Sequence, residues 1–321
     1  MGPFRLCTVL PVTLFYFSFA FSQENFSLNT QQESANSTSL TDLRRRADQG
    51  DARAQWILGN VYEVGSGVFQ DYRQAARWYA AASAQNLADA ELSLGSLYEH
   101  GKGVKKDYRQ AFRYYQAAAL QGQAIAQNNL ASLYENGHGP ARNPAEALHW
   151  YLAAAQAGEP TAQCNLASML FVGRGVRPDH DQAARWFRAA GAQGVPEAQN
   201  LLAVMYYKGD GVALDYGEAA KWARRAAAQG YPAGQADLAY LYEQGKGVPL
   251  DYVAAYTWYS LAATGGENHS PARLKSLMRI MLPAQLRAAR ARVAAEAQVP
   301  SKARTVRGND NPNSMSFLPK N

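Results

Sequence analysis

Small, apolar and aromatic residues recur along this chain in columns 36 residues apart. One column reads Ala54, Ala90, Ala126, Ala162 and Ala198, with Gly234 sixth. Four residues on stand Leu58, Leu94, Leu130, Leu166, Leu202 and Leu238. Beside the leucines are the small residues Gly59, Gly95, Ala131, Ala167, Ala203 and Ala239. Tyr62, Tyr98, Tyr134, Leu170, Tyr206 and Tyr242 complete the set. These offsets put the columns along one side of a helix, which runs near Ala52 to Val64 in the first copy. A second apolar set, Ala75, Trp78, Tyr79 and Ala82, predicts a partner helix. Its tryptophan returns as Trp150, Trp186, Trp222 and Trp258, with Tyr114 once in its place. A fixed period of this length predicts a solenoid of helix pairs, with the aromatics serving as packing.

The polar residues punctuate the same frame. Gly65, Gly101, Gly137, Gly173, Gly209 and Gly245 stand where the first helix should end, a position that favours left-handed backbone. A second glycine follows at Gly67, Gly103, Gly139, Gly175, Gly211 and Gly247. Asp71, Asp107, Asn143, Asp179, Asp215 and Asp251 are predicted N-caps of the second helix. Gln74, Gln110, Glu146, Gln182 and Glu218 complete a capping-box-like pattern, and Ala254 predicts a weaker sixth cap.

The run Ala-x-x-x-Leu-Gly-x-x-Tyr-x-x-Gly-x-Gly-Val-x-x-Asp-x-x-x-Ala-x-x-Trp-Tyr over residues 54–79 resembles the Sel-one-like repeat, a relative of the tetratricopeptide repeat. Five further copies follow, and the resemblance covers roughly residues 42–298. Repeat three departs most, with Pro140 for Val and Pro144 after the cap; repeat four has Leu170 and His180 where aromatics recur. The resemblance implies an all-α fold: a right-handed α/α superhelical solenoid of six 36-residue helix-turn-helix repeats, with N- and C-terminal capping helices. The repeats fall near 51–86, 87–122, 123–158, 159–194, 195–230 and 231–266, with a C-terminal cap over 267–298. The segment from Thr41 to Gln49 should cover the first repeat, and Pro283 to Ala297 the last.

The ends read differently. Met1 to Arg5 followed by the apolar run Leu6 to Phe21 predicts a cleavable secretory signal peptide over 1–22. Residues 23–40 read as a flexible linker and 299–321 as a disordered tail. Cleavage would leave Cys164 as the sole cysteine, a small packed residue within a helical pattern. The expected compartment is the bacterial periplasm, with secretion as the alternative. A formal charge of +6 is spread over separated clusters, including Lys105-Lys106. It implies solubility and a mild preference for acidic partners or membrane surfaces, without nucleic acid; peripheral membrane contact is not predicted.

Function is expected on the variable positions of the first helices, which in solenoids of this type line the inner surface. The candidate partner-binding stripe comprises Asp89, Ser93, Ser96 and His100, then Asn129, Ser132 and Asn136, Asn165 and Ser168, Leu201 and Lys208, and Asp237 and Tyr240. Its polar middle suits peptide backbone, and its later part suits an anchoring side chain. The basic column Arg77, Arg113, His149, Arg185 and Lys221 reads as a solvated outer face. No nucleophile, phosphate-loop or metal-spacing motif appears, so no enzyme activity, cofactor or metal is expected. The paired cysteines of penicillin-binding members of the family are absent. The resemblance implies a monomeric adaptor or regulator binding an envelope protein. Alternatives are an immunity protein against a phospholipase effector of type VI secretion, or a secreted host-interaction factor.

Overall fold

The computed structural model describes residues 40–297, so the signal-peptide and tail expectations lie outside the described residues, as does the linker except for Leu40. Among the described residues there are fifteen helices and no strand. A lead helix α1 (Leu40–Asp48) precedes six pairs. The pairs are α2 (Ala52–Val64) with α3 (Tyr72–Ser83), α4 (Ala88–His100) with α5 (Tyr108–Leu120), and α6 (Ala124–Asn136) with α7 (Pro144–Gln156). Then come α8 (Pro160–Val172) with α9 (His180–Ala192), α10 (Pro196–Lys208) with α11 (Tyr216–Ala228), and α12 (Pro232–Gln244) with α13 (Tyr252–Thr264). Helices α14 (Ser270–Ile280) and α15 (Pro283–Ala297) close the series. This is an all-α solenoid of helix-turn-helix repeats.

The described chain divides into two compact units at 162/163, within α8. In the first unit each helix from α1 to α7 packs on the next in sequence. The lead helix covers the first repeat with Leu43 and Ala47, which pack with Ala54 and Leu58. In the second unit α9 to α13 pack in the same order. Helices α14 and α15 both lie on α13, and Leu277 and Ala289 are buried in that cluster. Helices of 13 residues are marginal in isolation, so this packing holds them. The largest buried rings are Tyr79, Tyr115, Tyr151, Phe187 and Tyr259. Fully burying a side chain of that class contributes about 1.5–3 kcal/mol. Cys164 is buried and makes no disulfide.

The helix stops follow the glycines. Gly101 has φ 70°, and its N–H bonds the Leu97 carbonyl. The second glycine of each turn answers to a different constraint, contact with the preceding repeat. A Cβ at Gly103 would collide with the Tyr72 carbonyl, at Gly211 with that of His180, and at Gly247 with that of Tyr216. At Gly67, in the first repeat, a Cβ would meet nothing within 4 Å.

The second-helix caps form at all six predicted positions. The capping-box expectation needs correcting. The N-cap N–H of Asp71 bonds the Tyr62 carbonyl at 2.9 Å, and Asp107 bonds Tyr98 in the same way. With that N–H occupied, a side chain three residues on has no backbone donor to reach. The sixth cap is therefore not weakened by Ala254: Asp251 accepts from the N–H groups of Val253 and Ala254, each at 2.9 Å.

A glutamine column next to the alanines ties repeats together. Gln55 donates to the Ala47 carbonyl at 3.0 Å, Gln127 to Ala119 at 3.2 Å, and Gln199 to Gly191 at 2.8 Å. Each reaches back eight residues to the last turn of the preceding helix. Gln85 adds a link to Gln55 at 2.9 Å, and Gln229 one to Gln199 at 2.9 Å.

Candidate functional site

The predicted stripe lies on first helices, but much of its polar middle is engaged internally. In repeats one, two, three and six the second helix carries a ring that points back at a glutamate of its own first helix. Tyr79 donates to Glu63 at 2.6 Å, Tyr115 to Glu99 at 2.6 Å, Tyr151 to Glu135 at 2.9 Å, and Tyr259 to Glu243 at 2.7 Å. Burial, and then the glutamate charge, raise the Tyr79, Tyr115 and Tyr259 phenols far above their ordinary range. Burial also pushes the Glu63 carboxyl up, against the hydrogen bond from Tyr79. The Tyr79 hydroxyl is also 2.6 Å from Asn60 Oδ1, and the stripe lies alongside this network. Ser93 lies beside the Tyr79 hydroxyl, and Asn129 and Ser96 beside that of Tyr115. Ser93 and Asn129 come from the repeat that follows the ring they contact.

The remaining predicted residues have varied surroundings. Asp89 is half-buried, 4.0 Å from the Arg53 guanidinium, and accepts from Gln123 at 3.5 Å. Ser93 donates to the Asp89 carbonyl at 2.8 Å and accepts from the Trp56 indole at 3.2 Å. His100 bonds the carbonyl of buried Ser96 at 2.9 Å. Asn136 donates to the Ser132 carbonyl at 2.9 Å and to its hydroxyl at 3.3 Å. Asn165 is buried and Ser168 half-buried. Leu201 is buried, Asp237 is 0% exposed, and Lys208 is exposed. In this stretch α10 and α12 pack directly on each other, although a second helix separates them in sequence. The structure thus brings Ser93, Ser96 and Asn129 onto the internal rings, while Tyr240 and Lys208 stay accessible. The basic column Arg77, Arg113, His149, Arg185 and Lys221 is exposed.

Repeats four and five abandon the tyrosine–glutamate pair. The glutamate column reads Glu63, Glu99, Glu135, Phe171, Tyr207 and Glu243, and the ring column Tyr79, Tyr115, Tyr151, Phe187, Ala223 and Tyr259. Where the ring loses its hydroxyl, the acid is lost with it, since a buried carboxylate without its donor would be costly. Repeat four is apolar throughout: Phe171, Phe187 and, in the next repeat, Leu201. In repeat five Ala223 leaves Tyr207 without the usual ring opposite it.

Tyr207 instead joins a cluster that column reading did not single out. Its hydroxyl accepts from Lys246 Nζ at 2.9 Å. The ammonium lies 4.7 Å from the Tyr207 ring and 4.8 Å from that of Tyr216. Tyr240 lies edge-on to Tyr207 at 6.0 Å, and the Arg273 guanidinium is 5.4 Å from the Tyr240 ring. The hydrogen bond from Lys246 to Tyr207 holds the lysine pKa above its ordinary value. Burial, followed by contact with Tyr207, raises that of Tyr240. Arg273 is balanced by Glu243 at 3.6 Å, while among the described residues no carboxylate pairs with Lys246. The arrangement offers amphipathic rings beside a positive charge, a combination suited to anchoring a partner surface. The available sequence signal was the break in the glutamate column at Tyr207. Among the described residues no group of three or more His, Cys, Asp or Glu could hold a metal ion.

The Sel1 repeat model matches six consecutive segments, residues 52–87, 88–123, 124–159, 160–195, 196–231 and 232–267. Among solved structures the chain is similar to c5321, a protective antigen present in uropathogenic Escherichia coli strains that displays an SLR fold. Identity is 34% and the TM-score 0.76, over 79% of this chain and 55% of that one, so this chain spans about half the length of c5321. It is also similar to a Sel1 repeat protein from Oxalobacter formigenes, at 27% identity and a TM-score of 0.63, covering 76% of this chain and 95% of that one. No curated protein matches. Six contiguous matches in register with the observed helix pairs place this chain in the Sel1 repeat family, whose members are protein-interaction scaffolds.

Proposed function

We propose that this chain is an exported, non-enzymatic scaffold of the bacterial cell envelope that binds a protein partner along its first helices. Tyr240, Tyr207 and Lys246 form its anchor. One observation carries the reading: repeat five gives up the buried tyrosine–glutamate pair and places Tyr207 against Lys246 and Tyr240 instead. A departure from a pair kept in four of the six repeats, and replaced by an apolar set in repeat four, is where function is expected. Tyrosine with a neighbouring cation is a common composition for an energetic anchor. The apolar run Leu6 to Phe21 supports export, and no long insertion in the frame supplies a site of another kind.

The test is photo-cross-linking in intact cells from a reactive residue at position 240, with position 185 on the exposed face of α9 as the control. One envelope protein captured from 240 and not from 185 supports the adaptor reading. A secreted toxin or lipase would move the function to immunity. Capture from both positions, or from neither, removes the anchor. The description of c5321 as a protective antigen favours the host-facing alternative over the immunity one. Fractionation tests the compartment: a periplasmic protein whose chain starts after Ala20 or Ser22 is expected.

A further inference from the structure

We propose that the turn of the second repeat carries a separate binding site for a small phosphate-bearing ligand. The phosphate would sit on Lys105, Lys106 and Arg109, and the rest of the ligand against Tyr98 and Val104. These residues line an open cavity of about 790 Å³ together with Asp107, Tyr108, Gln110 and Gly139. Ligand sites commonly have volumes of this order, more than a bare phosphate requires.

The charge is specific to this turn. The positions of Lys105, Lys106 and Arg109 are occupied in the other repeats by Phe69, Gln70 and Arg73, by Ala141, Arg142 and Ala145, by Arg177, Pro178 and Asp181, by Ala213, Leu214 and Gly217, and by Pro249, Leu250 and Val253. The frame therefore does not require a cation at these positions, and no other repeat gathers three. The cavity's single acid is already committed. Asp107 accepts from the N–H groups of Arg109 at 2.8 Å and Gln110 at 3.2 Å as the N-cap of α5. No ion pair engages Lys105, Lys106 or Arg109 among the described residues.

Part of the site is held in place before any ligand arrives. Lys106 Nζ lies 4.6 Å from the Tyr108 ring centroid, and the His138 ring stacks on Tyr108 at 4.4 Å. Tyr98 is fixed by stacking on Tyr114 at 5.7 Å. Three cations lining one cavity with a single cap-bound carboxylate favour a group with more than one negative charge and several acceptor oxygens. Phosphate fits that better than a single carboxylate. The wall of Tyr98, Val104 and Gln110 offers an apolar flank and an amide, which suits a sugar or a headgroup of that size.

The experiment is calorimetric titration of the full chain with glucose 6-phosphate, with glucose as the control. A parallel arm measures co-sedimentation with phosphatidylcholine vesicles containing phosphatidylglycerol. Two double variants of equal charge change are compared: Lys105→Glu with Lys106→Glu, and Lys275→Glu with Arg279→Glu on exposed positions of α14. The expected result is binding of a phosphate probe that the turn variant weakens roughly tenfold or more and the α14 variant leaves near wild type. Binding of glucose 6-phosphate but not glucose would give a soluble source. Binding to vesicles alone, with the same variant pattern, would give a lipid headgroup. If neither probe binds, or both double variants weaken binding equally, there is no site and only net charge acts.

Discussion

The Tyr115 hydroxyl donates to Glu99 Oε2 at 2.6 Å across the two helices of one repeat, both side chains being buried. Asn129 from the next repeat lies beside the same hydroxyl. One phenol thus links the two helices, and its removal strands a buried carboxylate. Tyr115→Phe is expected to destabilise the chain by about 1–3 kcal/mol, since losing one partner of a buried pair exposes the desolvation cost of the other. Repeat four shows how the network can be replaced as a whole, with Phe171, Phe187 and Leu201 at the three positions. The combination Glu99→Phe, Tyr115→Phe and Asn129→Leu should therefore recover at least half of the loss. Urea unfolding of the single and triple variants measures both. A triple variant less stable than Tyr115→Phe would mean that the apolar set depends on its own surroundings in repeat four.

Glu91 occupies the glutamine column and is the one acid in it. Gln127 and Gln199 at the same place donate to a carbonyl of the preceding helix, which an ionised carboxylate cannot do. Burial holds the Glu91 carboxyl above its ordinary value of 4.5, partly opposed by the hydrogen bond from Gln121. The folded chain thus binds this proton more tightly than the unfolded chain. Its effect on stability becomes less favourable as pH rises from near 4.5 through the raised folded value, and the cost then stays in full. Glu91→Gln restores the donor and removes the titration. It should stabilise the chain by on the order of 1 kcal/mol near neutral pH and by clearly less near pH 4. Denaturation of wild type and variant at both pH values checks this, and an equal difference at the two would rule out titration of Glu91 as the cause.

The helix pairs, their caps and their stops were legible because they repeat, and each copy restates one physical requirement. The role of Ser93 and Asn129 was not legible in the same way. Both vary in register, as a recognition surface would, yet each contacts a tyrosine hydroxyl of the preceding repeat. Variation at their column follows the ring it serves: serine and asparagine where the ring is Tyr79 or Tyr115, leucine where it is Phe187. That dependence joins two columns fourteen residues apart on different helices, so no single-helix periodicity reveals it. Tyr207 was hidden for a related reason, since its column holds glutamates whose tyrosine partners lie on another helix. Asn129 and Asn165 are consequently poor positions for a surface test, the first lying against Tyr115 and the second being buried.

The glycine turns give a prediction with an internal control. Gly67 and Gly247 have nearly the same backbone, φ 73° and 68°. A Cβ at Gly67 meets nothing, whereas at Gly247 it would strike the Tyr216 carbonyl of the preceding repeat. Gly67→Ala should cost only the left-handed backbone term, about 1–2 kcal/mol. Gly247→Ala carries the same term and must also displace a backbone carbonyl at a helix start, so it should cost at least about 1 kcal/mol more. Thermal or urea unfolding of the two variants side by side decides it. Equal losses would show that the turn glycine answers to backbone conformation alone.

The anchor prediction separates packing from recognition. Tyr240 is half-buried and packs on the closing cluster, whereas Lys246 stands on the turn after α12. For the partner captured at position 240, Tyr240→Ala should weaken binding by about 2 kcal/mol, or some thirtyfold, if the ring is an energetic anchor. Lys246→Ala should cost less, about tenfold, because the cation contributes mainly by charge and by holding the Tyr207 hydroxyl. The loss for Lys246→Ala should shrink as salt is raised, and that for Tyr240→Ala should not. Arg185→Ala, on the exposed column of α9, should bind as wild type. Melting curves taken with the affinities separate a lost contact from a loosened C-terminal cap. If Tyr240→Ala keeps wild-type affinity while folded, the partner binds elsewhere, and the Tyr207 substitution is a local repacking around Ala223.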